Sequence, residues 1–564
     1  MKFASEGSEK KPAEEKEGGL VFYDVEVYPN LFVVCWKFEG KPTVVRMINP
    51  APAAIEELVK FKLLGFNNRR YDNHILYARI MGYSELDLFN LSQRLINGEK
   101  SASFGEAYNL SYGDVWEMSS KRQSLKRFQI ELGLNHEEIG LPWDQPVPEE
   151  LWGKVVDYCA NDVVTTEQVF HIRKQDFVAR QILADLSGLK VNDTTQRHTQ
   201  QIIFGNDKNV QEQFVYTNLA ETFPGYHYEA GHSWFMGEEV GEGGYVYAEP
   251  GMYSDVAVLD VASMHPTSIE MLNLFGPYTQ RYVDLKTARI AIKRKDYKTA
   301  RGLLGGALKP YLGSEDDARA LADALKLAIN IVYGLTSASF DNLFRDKRNK
   351  DNIVAKRGAL FMVALKNAVQ EKGFQVIHIK TDSIKIPHAT PEIIEFIVNY
   401  GREYGYDFEH ETTYSKMCLV NDAVYIARSE NGEWTAVGAQ FAHPFVYKTL
   451  FSGEEVTFDD CCETKTVTKG ALYLDFGEGG DPHFVGRAGL FVPVKEGHGG
   501  GFLLRGQDGT YHAATGTKGF LWKEAAVVQE LGQEDSINIE YFRKLADAAV
   551  KNITRFGDID WLRE

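Results

Sequence analysis

Leu20-Val-Phe-Tyr-Asp-Val-Glu-Val-Tyr28 alternates along its length and is rich in β-branched and aromatic side chains, which reads as a β-strand. Successive strand side chains point to opposite faces, so Asp24 and Glu26 share one face. Two carboxylates on one face are costly unless a cation or a proton joins them. Working outward, a second strand is expected over 31–38, after the Pro29-Asn30 turn, and a short buried strand over 63–66. Helices are expected over 54–62, 71–81 and 151–173. This mixture predicts one α/β domain over 19–175.

The chain has 564 residues, enough for about three or four domains. Hydrophobic residues make up 44% and charged residues 25%, values of a globular protein. A largely disordered chain, a collagen-like fibre and a small disulfide scaffold are excluded. The apolar runs are too short to span a bilayer, so no membrane association is expected. Residues 1–18 are mostly Lys, Glu, Gly and Ala and read as a flexible tail without the apolar core of a signal peptide. The five cysteines have no metal-type spacing. They are expected to be free thiols in a reducing, cytoplasmic compartment. The net charge of -17 does not exclude nucleic acid, because phosphates need a local positive groove rather than a positive total.

Residues 176–244 are less periodic and read as a connector. A strand is expected over 256–260. Residues 286–301 carry seven Lys or Arg and one Asp on a helix. Ser314 and Asp317 form a capping box for a second helix reaching Tyr333, and together the two helices make a hairpin. A helix is expected over 358–371, followed by two alternating strands, 375–379 and 383–386, flanking Thr381-Asp382. Beyond about 430 the chain turns rich in Gly, Phe, Val and Thr, with strands at 472–476 and 489–493 and a last helix over 537–555.

Two constellations carry chemistry. The first joins Asp24 and Glu26 to Asn68-x-x-Tyr71-Asp72 and Tyr158-x-x-x-Asp162. Four carboxylates, Asp24, Glu26, Asp72 and Asp162, can hold two divalent ions that activate a water and stabilise a leaving oxygen. Tyr158, one helical turn before Asp162, can orient that water. Taken singly, each pair reads as well as a solvated pair or a cap. The ordered set inside one α/β domain resembles the 3′–5′ exonuclease domain of proofreading DNA polymerases. Ser124-Leu-Lys-Arg-Phe128 matches that family's single-strand-binding motif. The resemblance implies that Asn68, Ser124 and Leu125 contact the DNA end. Lys126 and Arg127 either serve phosphates or stand as exposed charges.

The second constellation begins with Asp260-Val-Ala-Ser-Met-His-Pro-Thr267, after a strand. Lys326, Asn330 and Tyr333 follow at helical spacing on one face. A lysine there can grip a triphosphate as a point charge, and the tyrosine can stack under a base. Asp382 sits between the two strands at 375–386. Asp260 and Asp382 can bridge two Mg²⁺ (or Mn²⁺) ions, one lowering the pKa of a primer 3′-hydroxyl and the other holding the triphosphate.

From Val21 to about Arg428 the chain resembles a family B DNA polymerase of compact bacteriophage type. That resemblance implies a multidomain α+β protein: a ribonuclease-H-like exonuclease domain, then palm, fingers and thumb, with a β-rich C-terminal part. The palm would be 245–280 and 335–430, the fingers 281–334, and the thumb and β-rich region 431–564. It implies two metal ions per active site, primer–template DNA and dNTPs as partners, a processivity factor or other replisome protein, and a host bacterial cytoplasm. Arg289 and Lys293 are expected beside Lys326 at the triphosphate. The sequence departs from the family at Lys380, where an Asp is usual, and at His265, where a Tyr usually excludes ribonucleotides. The basic residues usual before the palm's last Tyr are absent, since Asn421, Asp422 and Ala423 precede Val424-Tyr425. Primer contacts therefore fall to Lys380, Lys416 or residues beyond 430. Asp260 and Lys326 lie 66 positions apart, and Lys326 and Asp382 lie 56 apart. That leaves little room for the insertions of protein-primed relatives, so no terminal protein is expected. The alternative is a DNA-binding exonuclease whose polymerase site is impaired.

Overall fold

A computed structural model describes residues 19–135, 139–477, 479–507 and 509–564. The tail expected over 1–18 lies outside the described residues. The chain divides into two compact units, Met1–His198 and Thr199–Glu564.

The first unit is built on a five-stranded sheet. Its order is Val45–Ile48, Leu31–Phe38, Leu20–Tyr28, Lys62–Gly65, Gly113–Asp114. The first three strands pair antiparallel; Lys62–Gly65 and Gly113–Asp114 join in parallel. The sheet is covered on both faces. Val21, Tyr23, Val25 and Val27 pack against helices carrying Ile55, Ile75 and Leu88. Phe22 and Tyr28, on the other face, pack against Val155, Val156, Cys159 and Val163 of the helix Trp152–Ile172. Asp24 and Glu26 share that second face, which is why they look onto the helix that bears Asp162.

The stretch after 175 is more regular than expected. Lys174–Ser187 and Thr195–Phe204 are α-helices. The first buries Phe177, Ile182 and Leu183 and ends at Gly188 in the left-handed conformation (φ 68°), a usual helix stop. Arg180, 1% exposed, donates to the carbonyls of Asp193 and Glu117 and to the Thr195 hydroxyl, at 2.6–3.0 Å. A buried guanidinium is tolerated only with such partners, and tertiary contacts of this kind leave little trace in local periodicity.

The second unit centres on a seven-stranded, all-antiparallel sheet. Its order is Trp434–Val437, Val424–Ser429, Phe408–Asn421, Gly251–Val261, Ser383–Pro387, His378–Lys380, Val246–Ala248. The strand pair expected around Thr381-Asp382 is present as the hydrogen-bonded neighbours His378–Lys380 and Ser383–Pro387, the first beginning at 378 rather than 375. The helix Ile353–Glu371 is buried along nearly its whole length. It approaches Met264–Met271 so closely that a Cβ on Gly358 would fall 2.6 Å from the Met264 sulfur. The basic helix Thr279–Lys293 breaks before Tyr297–Gly302 and packs against Glu315–Thr336. Ser314 caps that last helix by accepting the Asp317 backbone N–H at 3.1 Å. The reciprocal half of the expected box is replaced by a hydroxyl–carboxylate bond of 2.7 Å.

Toward the C-terminus two smaller sheets form: Glu463–Thr466, Ala488–Val494, Leu521–Glu524, and His483–Gly486, Ala471–Asp475, Phe502–Gln507, Thr510–Ala513. The helix Ile539–Thr554 packs Ala546, Ala549 and Ile553 against Cys418, Val420 and Ile426 of the large sheet. All five cysteines are free. Among the described residues no helix is long and apolar enough to cross a membrane.

Candidate active sites

In the first unit, one carboxylate oxygen each from Asp24, Glu26 and Asp162 lie within 4.8 Å of one another. Asp72 opens the helix Asp72–Ile80 beside them and is 5% exposed. Burial pushes Asp24 well above the usual carboxylate range, and the charges of Asp72, Asp162 and Glu26 push it further. Asp72 rises to about 7, chiefly through burial, with Asp114 adding to it. A positive charge placed among such carboxyls favours their ionised forms. The donor set is all oxygen, which suits a hard divalent cation such as Mg²⁺ or Mn²⁺. Part of that charge now comes from Lys126. Its ammonium donates to both Asp162 oxygens at 2.9 and 3.1 Å and lies 4.1 Å from the centre of the Tyr158 ring. The Gln129 amide donates to the same carboxylate at 3.1 Å.

The surrounding scaffold claims two residues that the sequence reading places at the DNA end. Asn68 is fully buried, donating to the Tyr23 hydroxyl at 2.9 Å and the Gly113 carbonyl at 3.2 Å. Its side chain thereby ties the loop before Asp72 to Tyr23 and Gly113. Leu125, 9% exposed, belongs to the core beneath the sheet, packed with Phe128 and Val163. Of that motif, exposed Ser124 caps the helix Leu125–Glu131 by accepting the Arg127 N–H at 3.2 Å. Arg127 pairs with Glu131 one turn on. Asp114, which the sequence reading missed, accepts the backbone N–H groups of Asn67, Arg69, Trp116 and Glu117 at 2.9–3.2 Å. It thereby pins the loop that leads into Asp72.

In the second unit, Asp260 ends the strand Gly251–Val261 and is paired in register with Ser383. The next residue, Val261, donates its N–H to the Asp382 carbonyl at 2.9 Å. Asp382 therefore sits at the turn beside Asp260. Burial lifts Asp260 to about 7, with Asp382 and Glu411 adding to it. The turn is strained: Thr381, a β-branched residue, has φ 59°, an outlier for its type. Its N–H is held by the Tyr245 carbonyl at 2.9 Å, and its hydroxyl lies where a Cβ on Gly244 (φ 139°) would come within 3.1 Å.

Two residues beside this pair escaped the sequence reading. Lys385 lies opposite Val258, on the sheet face that also carries Asp260 and Ser383. It is 4% exposed, and burial draws its pKa down to about 8 against the pull of Asp260 and Glu411. Its ammonium donates to His378 Nδ1 at 3.2 Å and lies 5.3 Å from the Tyr425 ring centre. Burial and that neighbouring charge lower His378 to about 4. His378 is therefore neutral, with Nδ1 accepting and Nε2–H donating to the Asp422 carbonyl at 3.1 Å. The only sequence sign of this group was a lysine on the sheet face of Ser383.

Lys326 and Asn330 are exposed, and Tyr333 is half-buried, on the helix Glu315–Thr336. The His265 ring stacks on Tyr333 with centroids 3.9 Å apart and planes at 11°. His265 Nδ1 is buried without a hydrogen-bond partner. Burial lowers the His265 pKa while Asp382 raises it, which places this ring within the field of Asp382. Arg289 is half-buried with Asp323 in its field, and Lys293 is exposed. Lys380 is exposed at the end of its strand. Lys416, expected at a primer, is committed elsewhere: it donates to the Trp561 carbonyl at 2.6 Å and lies 5.2 Å from that indole. It ties its strand to the C-terminal helix Ile559–Arg563.

No protein-family model matches the chain, and no curated protein matches it. Among solved structures it is similar to the family B DNA polymerase from the hyperthermophilic archaeon Pyrobaculum calidifontis. The identity is 14%, the TM-score is 0.42, and the match covers 95% of this chain and 78% of that one. So loose a likeness carries no argument about activity; the chemistry of the two carboxylate sites does.

Proposed function

We propose that this chain is a DNA-templated DNA polymerase with a 3′–5′ exonuclease, of the compact bacteriophage type within family B. The observation that carries the reading is the second site. Asp260, near the end of its strand, lies beside the turn that carries Asp382, and His265, within the field of Asp382, stacks on Tyr333 of the helix that also bears Lys326. Oxygen donors beside a stacking surface and a free-standing lysine suit a nucleoside triphosphate and the divalent cation it brings.

Asp260 and Asp382 would hold the metal, which supplies charge neutralisation at the reacting phosphate and activates the primer hydroxyl. Lys326 binds the triphosphate, with Arg289 and Lys293 as further cations. Tyr333 and His265 orient the base and sugar, so that catalysis is mainly positioning. In the first unit, Asp24, Glu26, Asp72 and Asp162 would hold metal for phosphodiester hydrolysis, with Tyr158 orienting water and Ser124 near the strand. Palm, fingers and thumb would occupy the ranges expected from sequence. Primer–template DNA and dNTPs are the substrates, a processivity partner fits the absence of long insertions, and a terminal protein is not required.

The test is a pair of variants on one labelled primer–template. Asp382→Asn should abolish extension and spare end-trimming, and Asp24→Ala with Glu26→Ala should do the reverse. Extension surviving in Asp382→Asn would remove that residue from the reaction.

A further inference from the structure

The second unit also carries a pocket of about 750 Å³, the size of a small-molecule site, and none of its lining residues belongs to either carboxylate site. Trp434 opens the edge strand Trp434–Val437, and Tyr447 and Phe451 come from the helical turns Pro444–Tyr447 and Lys448–Ser452. These three give the pocket aromatic walls. The Trp434 and Phe451 rings lie 5.3 Å apart, and Trp434 and Tyr447 stay only half-buried. Two guanidiniums line the same pocket. Arg428 donates from Nη1 to the Arg563 carbonyl at 2.7 Å and lies 5.6 Å from the Trp434 ring centre. Arg563 donates to the Leu450 carbonyl at 2.9 Å and to Asp560 at 3.2 Å. A guanidinium carries five donors, so these bonds fix both groups and leave other N–H groups for a ligand.

We propose that this pocket binds a free nucleoside monophosphate, its phosphate on Arg428 and Arg563 and its base against Trp434 and Tyr447. It is distinct from the triphosphate position at Lys326, which lies on the helix Glu315–Thr336 outside this pocket. The occupant follows from the wall chemistry. Guanidiniums take a phosphate by its oxygens, and aromatic rings take a base by its π-face. Glu433 and Glu454 line the pocket as well. They repel a bare anion but accept from the amino and hydroxyl groups that a nucleotide carries. The same carboxylates decide between a free nucleotide and a strand. Glu430, Glu433, Glu454 and Glu455 are exposed, and residues 429–433 and 452–455 contain no Lys or Arg. A polyanionic strand needs a run of cations along its phosphates, whereas a single phosphate needs only the arginine pair.

The experiment titrates the full chain with AMP, GMP, CMP and UMP by calorimetry. EDTA is present and DNA is absent, so no divalent cation carries nucleotide to Asp260 and Asp382. At least one of the four should bind saturably, one per chain. Arg428→Gln should weaken that binding about tenfold or more, the worth of one charge-assisted hydrogen bond. Trp434→Ala should weaken it by a similar factor, the worth of one base–aromatic stack. Inorganic phosphate, and the nucleoside without its phosphate, should each displace the nucleotide far less well than the nucleotide itself. Phosphate that competes as well as the nucleotide would reduce the site to an anion cradle and overturn the proposal. A single-stranded oligonucleotide that displaces the nucleotide at lower concentration would make the pocket a strand contact and overturn it too. So would the absence of saturable binding by all four, or binding that both variants leave unchanged. Should a variant fail to fold, the displacement series on the wild type still decides.

Discussion

Asp72 offers a way to see the strained carboxylate cluster without any substrate. Burial holds its carboxyl up to about 7 in the folded protein, against the ordinary 3.8 it regains in the unfolded chain. Because the folded value is the higher, its contribution to stability is present at low pH and is lost as pH rises through about 7. At 1.36 kcal/mol per unit, integration between pH 5 and pH 8 gives at most about 3 kcal/mol. Coupling to Asp24 reduces that figure. For a unit of this size it corresponds to roughly 5–10 °C in melting temperature. Asp72→Asn keeps the shape of the protonated side chain and removes its titration. In EDTA, the variant should melt close to the wild type at pH 5 and several degrees above it at pH 8. Adding Mg²⁺ at pH 8 should raise the wild type more than the variant. The readout is thermal unfolding of the full chain followed by circular dichroism at both pH values. Melting curves of variant and wild type that shift in parallel with pH would show that Asp72 is not a strained carboxylate, and the metal-site argument would lose its electrostatic support.

Other consequences concern the second unit. His265→Tyr should raise the preference for dNTPs over rNTPs in single-nucleotide incorporation by about tenfold or more, because a larger ring crowds the sugar position; an unchanged ratio would take His265 out of sugar selection. Lys385→Gln removes a buried positive charge from beside Asp260 and should push that carboxyl above about 7. Extension should then fall most at pH 7 and recover toward pH 9, with trimming untouched, whereas a loss independent of pH would mean that Lys385 serves only packing.

Much of the scaffold was legible because strong local signals coincided. The strands Leu20–Tyr28 and Leu31–Phe38 follow from alternation broken by a Pro-Asn turn. The burial of the first on both faces explains why its apolar residues are so dense. The helix Glu315–Thr336 was marked by its serine cap. What could not be read was which side chains end up inside. Asn68, Leu125 and Lys416 carry residue types that bind DNA in a motif. Yet each is claimed by a partner distant in sequence: Gly113, Val163 and Trp561 respectively. The His378–Lys385 bond and the Lys126–Asp162 pair were missed for the same reason, because they join residues through the sheet or between helices. The helices at 174–204 were passed over because their order comes from Arg180 and its tertiary acceptors, not from a clean apolar stripe.

The most direct test of the two-site reading is one gel. A labelled primer annealed to a longer template is incubated with the wild-type chain and Mg²⁺, with and without dNTPs. Lengthening with dNTPs and shortening without them is the expected result. Shortening in both lanes, abolished by Asp24→Ala with Glu26→Ala and never replaced by extension, would contradict the polymerase assignment and leave a nuclease.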